Sequence, residues 1–165
     1  MKVFSHDTRG GRFKDYESVG LSNPDNSDAY LYSILSELEQ FRDEEGGFQF
    51  MLCYPEITWG EDGKVCNVWR QSSNPYTDSE ITGFQAIDLA FPFASYLRPW
   101  GGLGRTTAKT GRTAVDDSPE ENHWYYAIGA YKYWRQEGFI PGPRGKVGGN
   151  TDLQMVTKVS LYVAV

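Results

Sequence analysis

From Gly47 onward the chain breaks into short apolar and aromatic runs separated by glycine- and proline-bearing connections, and this rhythm limits the fold more than any other feature. The runs cover 47–54, 64–72 and 83–91, then HWYYAIGAYKYW and the closing QMVTKVSLYVAV. The closing run carries Val156, Val159, Leu161 and Val163 as its strand residues, while Phe84, Ala86, Ile87 and Leu89 alternate imperfectly. Between the runs lie SSNPYTDSE, RPWGGLGRTTAKTGRT, DDSPEEN and FIPGPRGKVGGNTD, all rich in turn formers. A parallel α/β fold needs helices alternating with strands. One helical pattern alone is present: Leu31, Ile34, Leu35, Leu38 and Phe41 recur at three- and four-residue spacing, Ser27 or Asp28 stands ready as a cap, and Gly46 and Gly47 as a stop. Glu37, Glu39, Gln40, Arg42 and Asp43 fill the opposite face. The expected architecture is therefore mainly β: an antiparallel β-sandwich of jelly-roll type, one domain over 1–165, with an amphipathic helix near residues 27–45 docked on its outside.

Composition agrees with that class. Aromatic residues make up 15% of the 165 residues and stand beside 18 glycines, a pairing that suits half-buried strands joined by tight turns and equally suits wet binding surfaces. The formal net charge of -6 argues against phosphate-backbone recognition, so nucleic acid is not an expected partner. No run approaches the length of a membrane span, and the polar start MKVFSHDTRGGRF lacks the apolar core of a signal peptide. Such an abrupt, strand-like start suits a domain taken from a longer secreted protein.

Cys53 and Cys66 fall in two strand-like runs joined by a connection that ends in the turn residues Glu61, Asp62 and Gly63, which places them to face one another across a hairpin. A bridge between them implies an oxidising compartment; two buried thiols in a cytosolic protein are the alternative.

The catalytic motifs are mostly absent. GLGRTTAKT has Ala108 where a phosphate-binding loop needs glycine before the lysine, and reads as a flexible loop. With His6 and His123 as the two histidines and no nucleophile motif, a Ser-His-Asp site has no support. A glycoside hydrolase needs two carboxylates across a cleft, for which Glu56 and Asp88 are the candidates in strand-like surroundings; the DDSPEEN segment reads as a solvated loop around Pro119. Oxygen-rich loops suit calcium better, and Asp116, Asp117 and Glu120 are the candidate ligands. At 23–28 helix capping explains the Asn/Asp pattern.

The strongest constellation interleaves aromatic and polar residues in NVWRQSSNP, RPWGGLGR and ENHWYYAIGAY. A saccharide presents apolar C–H faces and hydroxyl edges, so its site needs an aromatic platform with hydrogen-bonding side chains around it. Trp59, Arg70, Asn74, Trp100, Arg105, His123 and Trp124 are the residues of that type, while Trp69, Trp124 and Trp134, taken singly, read more readily as sheet core.

The same stretches, together with FIPGPRG, VSLYVAV, the opening KVFSHDTRGGRF and LSELEQFR, resemble a module of extracellular multi-domain proteins of marine invertebrates, similar in general architecture to fibrinogen-related and discoidin-like modules. The resemblance runs over nearly the whole chain through Trp69 to Pro75, Trp100 to Leu103 and Trp124 to Gly129. It implies a secreted or cell-surface location, an adhesive or ligand-binding role and no catalytic residues; the cysteine pattern of the fibrinogen-related modules is missing. The expected function is a non-enzymatic module that binds a glycan or a surface protein through loops at one end. The alternatives are a structural assembly module that packs against neighbouring domains of a larger chain in a matrix, filament or shell, and a glycoside hydrolase.

Overall fold

A computed structural model describes residues 1–94, 98–107, 112–117, 125–132, 137–145 and 154–165. Strands occupy 35% of it and helix 13%, so the chain is mainly β and antiparallel, in a sandwich-like arrangement. In chain order the elements are β1 (Lys2–Asp7), α1 (Tyr16–Gly20), β2 (Leu31–Ser33), β3 (Phe48–Cys53), β4 (Cys66–Gln71), β5 (Gln85–Leu89), β6 (Gly104–Arg105), β7 (Thr113–Asp116), β8 (Ile128–Ala130), β9 (Ile140–Pro141), β10 (Met155–Val156) and β11 (Lys158–Val163). A six-stranded sheet runs in the order β2-β1-β11-β3-β4-β5; β6-β7-β8 form a second sheet, and β9 pairs with β10.

The period-2 pattern decides which face of the large sheet is dry. Phe48, Phe50 and Leu52 on β3, Trp69 on β4, and Val159, Leu161 and Val163 on β11 all point inward and are buried. The second sheet is packed into the same core through aromatic contacts: Trp69 meets Trp100 edge to face at 4.6 Å, and Trp100 meets Tyr126, just before β8, at 5.6 Å. Helix α1 closes one side, its N-terminus capped by Asp15, which accepts from the backbone N–H of Ser18 at 2.9 Å. Its Val19 lies over Gly129, whose φ of 70° and lack of a side chain are both required, because a Cβ there would run into Val19 and Ala114.

Two expectations meet different outcomes. Cys53 and Cys66 are directly opposite across the β3–β4 hairpin and form the disulfide, with Cα atoms 4.1 Å apart. The helix over 27–45 is not formed. Leu31–Ser33 instead pair with β1 as a strand, Ile34 breaks the run at φ -128° and ψ 31°, and Leu35–Phe41 wind as a 3-10 helix. Neither Ser27 nor Asp28 caps a helix; Asn23 adopts φ 48° in a turn, donating through Nδ2 to Leu31 O at 2.7 Å. The apolar spacing is satisfied all the same, since Ile34, Leu35 and Leu38 are buried. Edge pairing to β1 supplies backbone hydrogen bonds and burial together, and this tertiary gain overrides a weak local preference for α-helix.

The outer face of the large sheet is half open. Met51, Val68 and Tyr162 lie on it with the disulfide, and with Met1 and Ala164 they line a mostly apolar groove of about 250 Å³.

Candidate functional site

Strands β3 and β4 separate the candidate residues into two groups. Cys53–Cys66 adjoin the 54–65 loop, whereas Phe48 and Gln71 pair at the opposite end, five residue steps or roughly 17 Å away. Trp59 sits at the loop end; Arg70, Asn74 and Arg105 gather at the Gln71 end; Trp100 is between the sheets. His123, Trp124 and Glu120 lie outside the described residues, as does Trp134.

At the Gln71 end the polar side chains mostly hold one another. Arg70 grips Asp43 with both Nη atoms and reaches Glu45 at 3.3 Å. That guanidinium, aided by the backbone N–H of Gly47, holds the Asp43 carboxyl well below the usual carboxylate range. Asn74 donates through Nδ2 to Glu39 at 2.9 Å, its Oδ1 accepts from Tyr76 N at 3.0 Å, and its own N–H donates to Asp78 at 2.9 Å. It is a buried turn-forming residue. The Arg105 guanidinium lies over the Tyr16 ring at 5.1 Å, and Tyr16 stacks on Tyr76 at 4.6 Å. Beside them an open cleft of about 420 Å³ is lined by Ser73, Thr77, Asp78, Ser79, Glu80 and Thr82. It offers hydroxyls and carboxylates and no aromatic surface.

The loop end is built differently. Trp59 is 38% exposed, with its ring edge-on to buried Phe91 at 5.3 Å. Glu61, Phe93 and Arg144 complete a crevice of about 10 Å³ beside it, room for one water at most, so a ligand here lies on the Trp59 ring rather than in a pocket. The Arg144 guanidinium covers the Tyr125 ring at 5.1 Å. An exposed indole, a carboxylate and a guanidinium thus stand together on one rim.

Trp100 is a core residue and not a platform. It is 1% exposed, with Trp69, Phe84 and Tyr126 on its ring; its backbone N–H donates to Pro92 O at 2.8 Å, while its indole Nε1–H is buried with no hydrogen-bond partner. Gly102 beside it serves close approach: it has φ 98°, and a Cβ there would stand 2.7 Å from Gln71 Oε1. That oxygen accepts from Trp69 Nε1 at 2.8 Å and Leu103 N at 3.1 Å, so Gln71 sews the loop onto β4.

Asp116 and Asp117 are buried, which corrects the reading of that segment as wholly solvated. They face a phenolic pair: burial raises the Tyr54 hydroxyl well above its ordinary pKa, and the charges of Tyr126, Asp117 and Asp116 raise it further. Tyr126 donates to Phe93 O. Among the described residues no three His, Cys, Asp or Glu side chains gather as a metal set. Of the two candidate hydrolytic carboxylates, Glu56 lies in the exposed loop after β3 and accepts from Thr157 N at 2.7 Å, Thr157 Oγ1 at 2.7 Å and Lys158 N at 2.9 Å. Asp88 pairs with Lys64 at 2.9 Å.

Sequence reasoning did not nominate Glu61 or Arg144 as site residues. Glu61 was legible as a turn residue, and Arg144 belongs to the FIPGPRG connection, whose distance in sequence from Trp59 hides their meeting. No family model, curated protein or solved structure matches this chain.

Proposed function

We propose that the protein is a non-enzymatic extracellular binding module whose ligand is a saccharide held on the Trp59 rim. The carrying observation is that Trp59 is the exposed tryptophan among those described, with Glu61 and Arg144 beside it. Its indole suits the C–H face of a sugar ring, and the two charged side chains suit its hydroxyls. The disulfide supports an oxidising, extracellular setting, and the engagement of Glu56 and Asp88 with neighbouring groups supports a role without hydrolysis. Among the described residues no helix is long and apolar enough to cross a membrane.

A glycan array probed with and without chelator tests this reading and the calcium expectation together. Trp59→Ala is expected to lower affinity for the bound glycan about tenfold or more, the scale of an aromatic anchor. Glu80→Ala, in the distant polar cleft, is expected to leave binding unchanged. Loss with Glu80→Ala and not with Trp59→Ala would move the site and overturn the assignment.

A second reading, assembly with neighbouring copies or domains, is favoured by the half-open outer face with Met51, Val68 and Tyr162 around its apolar groove. Light scattering tests it: self-association is expected to disappear in Val68→Lys, and a strictly monomeric wild type rejects it.

A further inference from the structure

Strand β1 carries a histidine into the core. His6 is fully buried, edge-on to Phe13 at 5.2 Å, and Phe13 stacks on Phe4 at 5.4 Å. Its Nε2–H donates to the carbonyl of Gly11 at 2.9 Å, which fixes the neutral tautomer and leaves Nδ1 as a lone pair. Nδ1 is buried with no hydrogen-bond partner. A neutral ring tolerates this arrangement, whereas an imidazolium would direct a second N–H at no acceptor. The strands flanking His6 place Leu31 and Val159 opposite it, both apolar. The charged groups nearby are Asp7, Arg9 and Lys158. Arg9 clamps the Asp7 carboxylate through Nε at 3.1 Å and Nη2 at 2.6 Å, and Lys158 adds its charge from β11. Turning Asp7 toward the ring would break that clamp.

The residues tied to this ring lead across the molecule. Thr8 N donates to Thr157 O at 2.9 Å and Phe13 N to Ala130 O at 3.3 Å, so 8–13 runs from the large sheet to the small one. Helix α1 follows, and Tyr16 and Tyr76 exchange hydrogen bonds, each hydroxyl donating to the other's backbone carbonyl.

We propose that residues 8–20 form an acid-released strap between the two sheets, latched while the buried His6 ring is neutral with its Nε2–H on the Gly11 carbonyl, and opened when protonation adds an N–H at Nδ1 that no acceptor in the core meets. Burial holds the His6 pKa below its ordinary value of 6.5, outweighing the Gly11 hydrogen bond and the Asp7 charge, which both favour the charged ring. The latch therefore contributes fully above that value and is lost as pH falls through the lowered folded value. Opening withdraws Phe13 from Phe4 and frees α1, and with it the Tyr16 contact to the loop that lines the polar cleft.

Hydrogen exchange followed by mass spectrometry, corrected for intrinsic rates, tests the proposal at about pH 7.5 and about pH 5. Protection of 8–20 is expected to fall about tenfold or more at the lower pH while β3 and β4 hold, and His6→Phe is expected to abolish the difference. Should that variant not fold, the ring protons of the wild-type histidines give a second readout, with His123→Gln providing the assignment. Equal protection at both pH values, a loss that persists in His6→Phe, or a His6 ring that titrates at its ordinary value overturns the proposal.

Discussion

Trp100→Ala is expected to cost about 3–5 kcal/mol of folding stability, as removal of a fully buried tryptophan does when its surroundings collapse only in part. The void would open where β4, the 98–105 loop and Tyr126 converge: Trp69, Phe84 and Tyr126 each lose a ring contact at once. Against a typical total of about 5–15 kcal/mol, such a loss removes from about a fifth to all of the stability. Denaturant unfolding measures it. The variant is also expected to lose any ligand affinity, but only in step with its folded fraction. Trp59→Ala, at an exposed site, is expected to leave the unfolding midpoint nearly unchanged while binding falls. A stable Trp100→Ala protein, destabilised by under about 1 kcal/mol, would mean that the 98–105 loop does not cover β4 as described.

Removal of the disulfide has the second largest expected effect. Cys53 and Cys66 are 13 residues apart, and closing a loop of that size restricts the unfolded chain by an amount worth roughly 3 kcal/mol. Both residues are half-buried on the outer face, so Cys53→Ser with Cys66→Ser empties no core site and the effect comes mainly from the unfolded state. The paired variant is expected to unfold about 2–3 kcal/mol more readily, and the wild type under reductant to match it. Equal stability of oxidised and reduced protein would contradict this. The bridge also pins the hairpin whose loop presents Trp59, so weaker ligand binding on reduction is the accompanying expectation.

How far the sequence could be read depends on the range of the forces involved. The hairpin of Cys53 and Cys66 was legible because two strand-like runs, a turn and two thiols all fall within a short stretch. The strands β3, β4 and β11 were legible as strand-like runs over 47–54, 64–72 and the closing segment because their apolar and aromatic residues and the flanking turn formers are local signals. The segment around Leu35 was not, since its apolar spacing fits an α-helix as well as a strand followed by a 3-10 helix, and the choice is made by Val3, whose carbonyl accepts from Ile34 N at 2.9 Å. Trp100 was misread for a related reason. Glycines around a tryptophan suggest an open loop, yet here Gly102 is needed so that backbone can lie against Gln71. Of the residues nominated for binding, Trp59 alone is an exposed tryptophan on the described surface, and its neighbour Arg144 comes from a connection far along the chain.

The place of β11 in the large sheet has a consequence for synthesis. It lies between β1 and β3, pairing His6 with Val159 on one side and Leu52 with Leu161 on the other. During synthesis β1 and β3 stay unpaired on those edges until β11 has been made, so the register of the sheet's centre is set after the strands that precede it. Folding should therefore be slow for a domain of this size, because the decisive contacts join residues far apart in sequence. During that interval Phe4, Phe50 and Leu52 have no partner from β11, which makes the nascent chain dependent on protection from edge-to-edge aggregation.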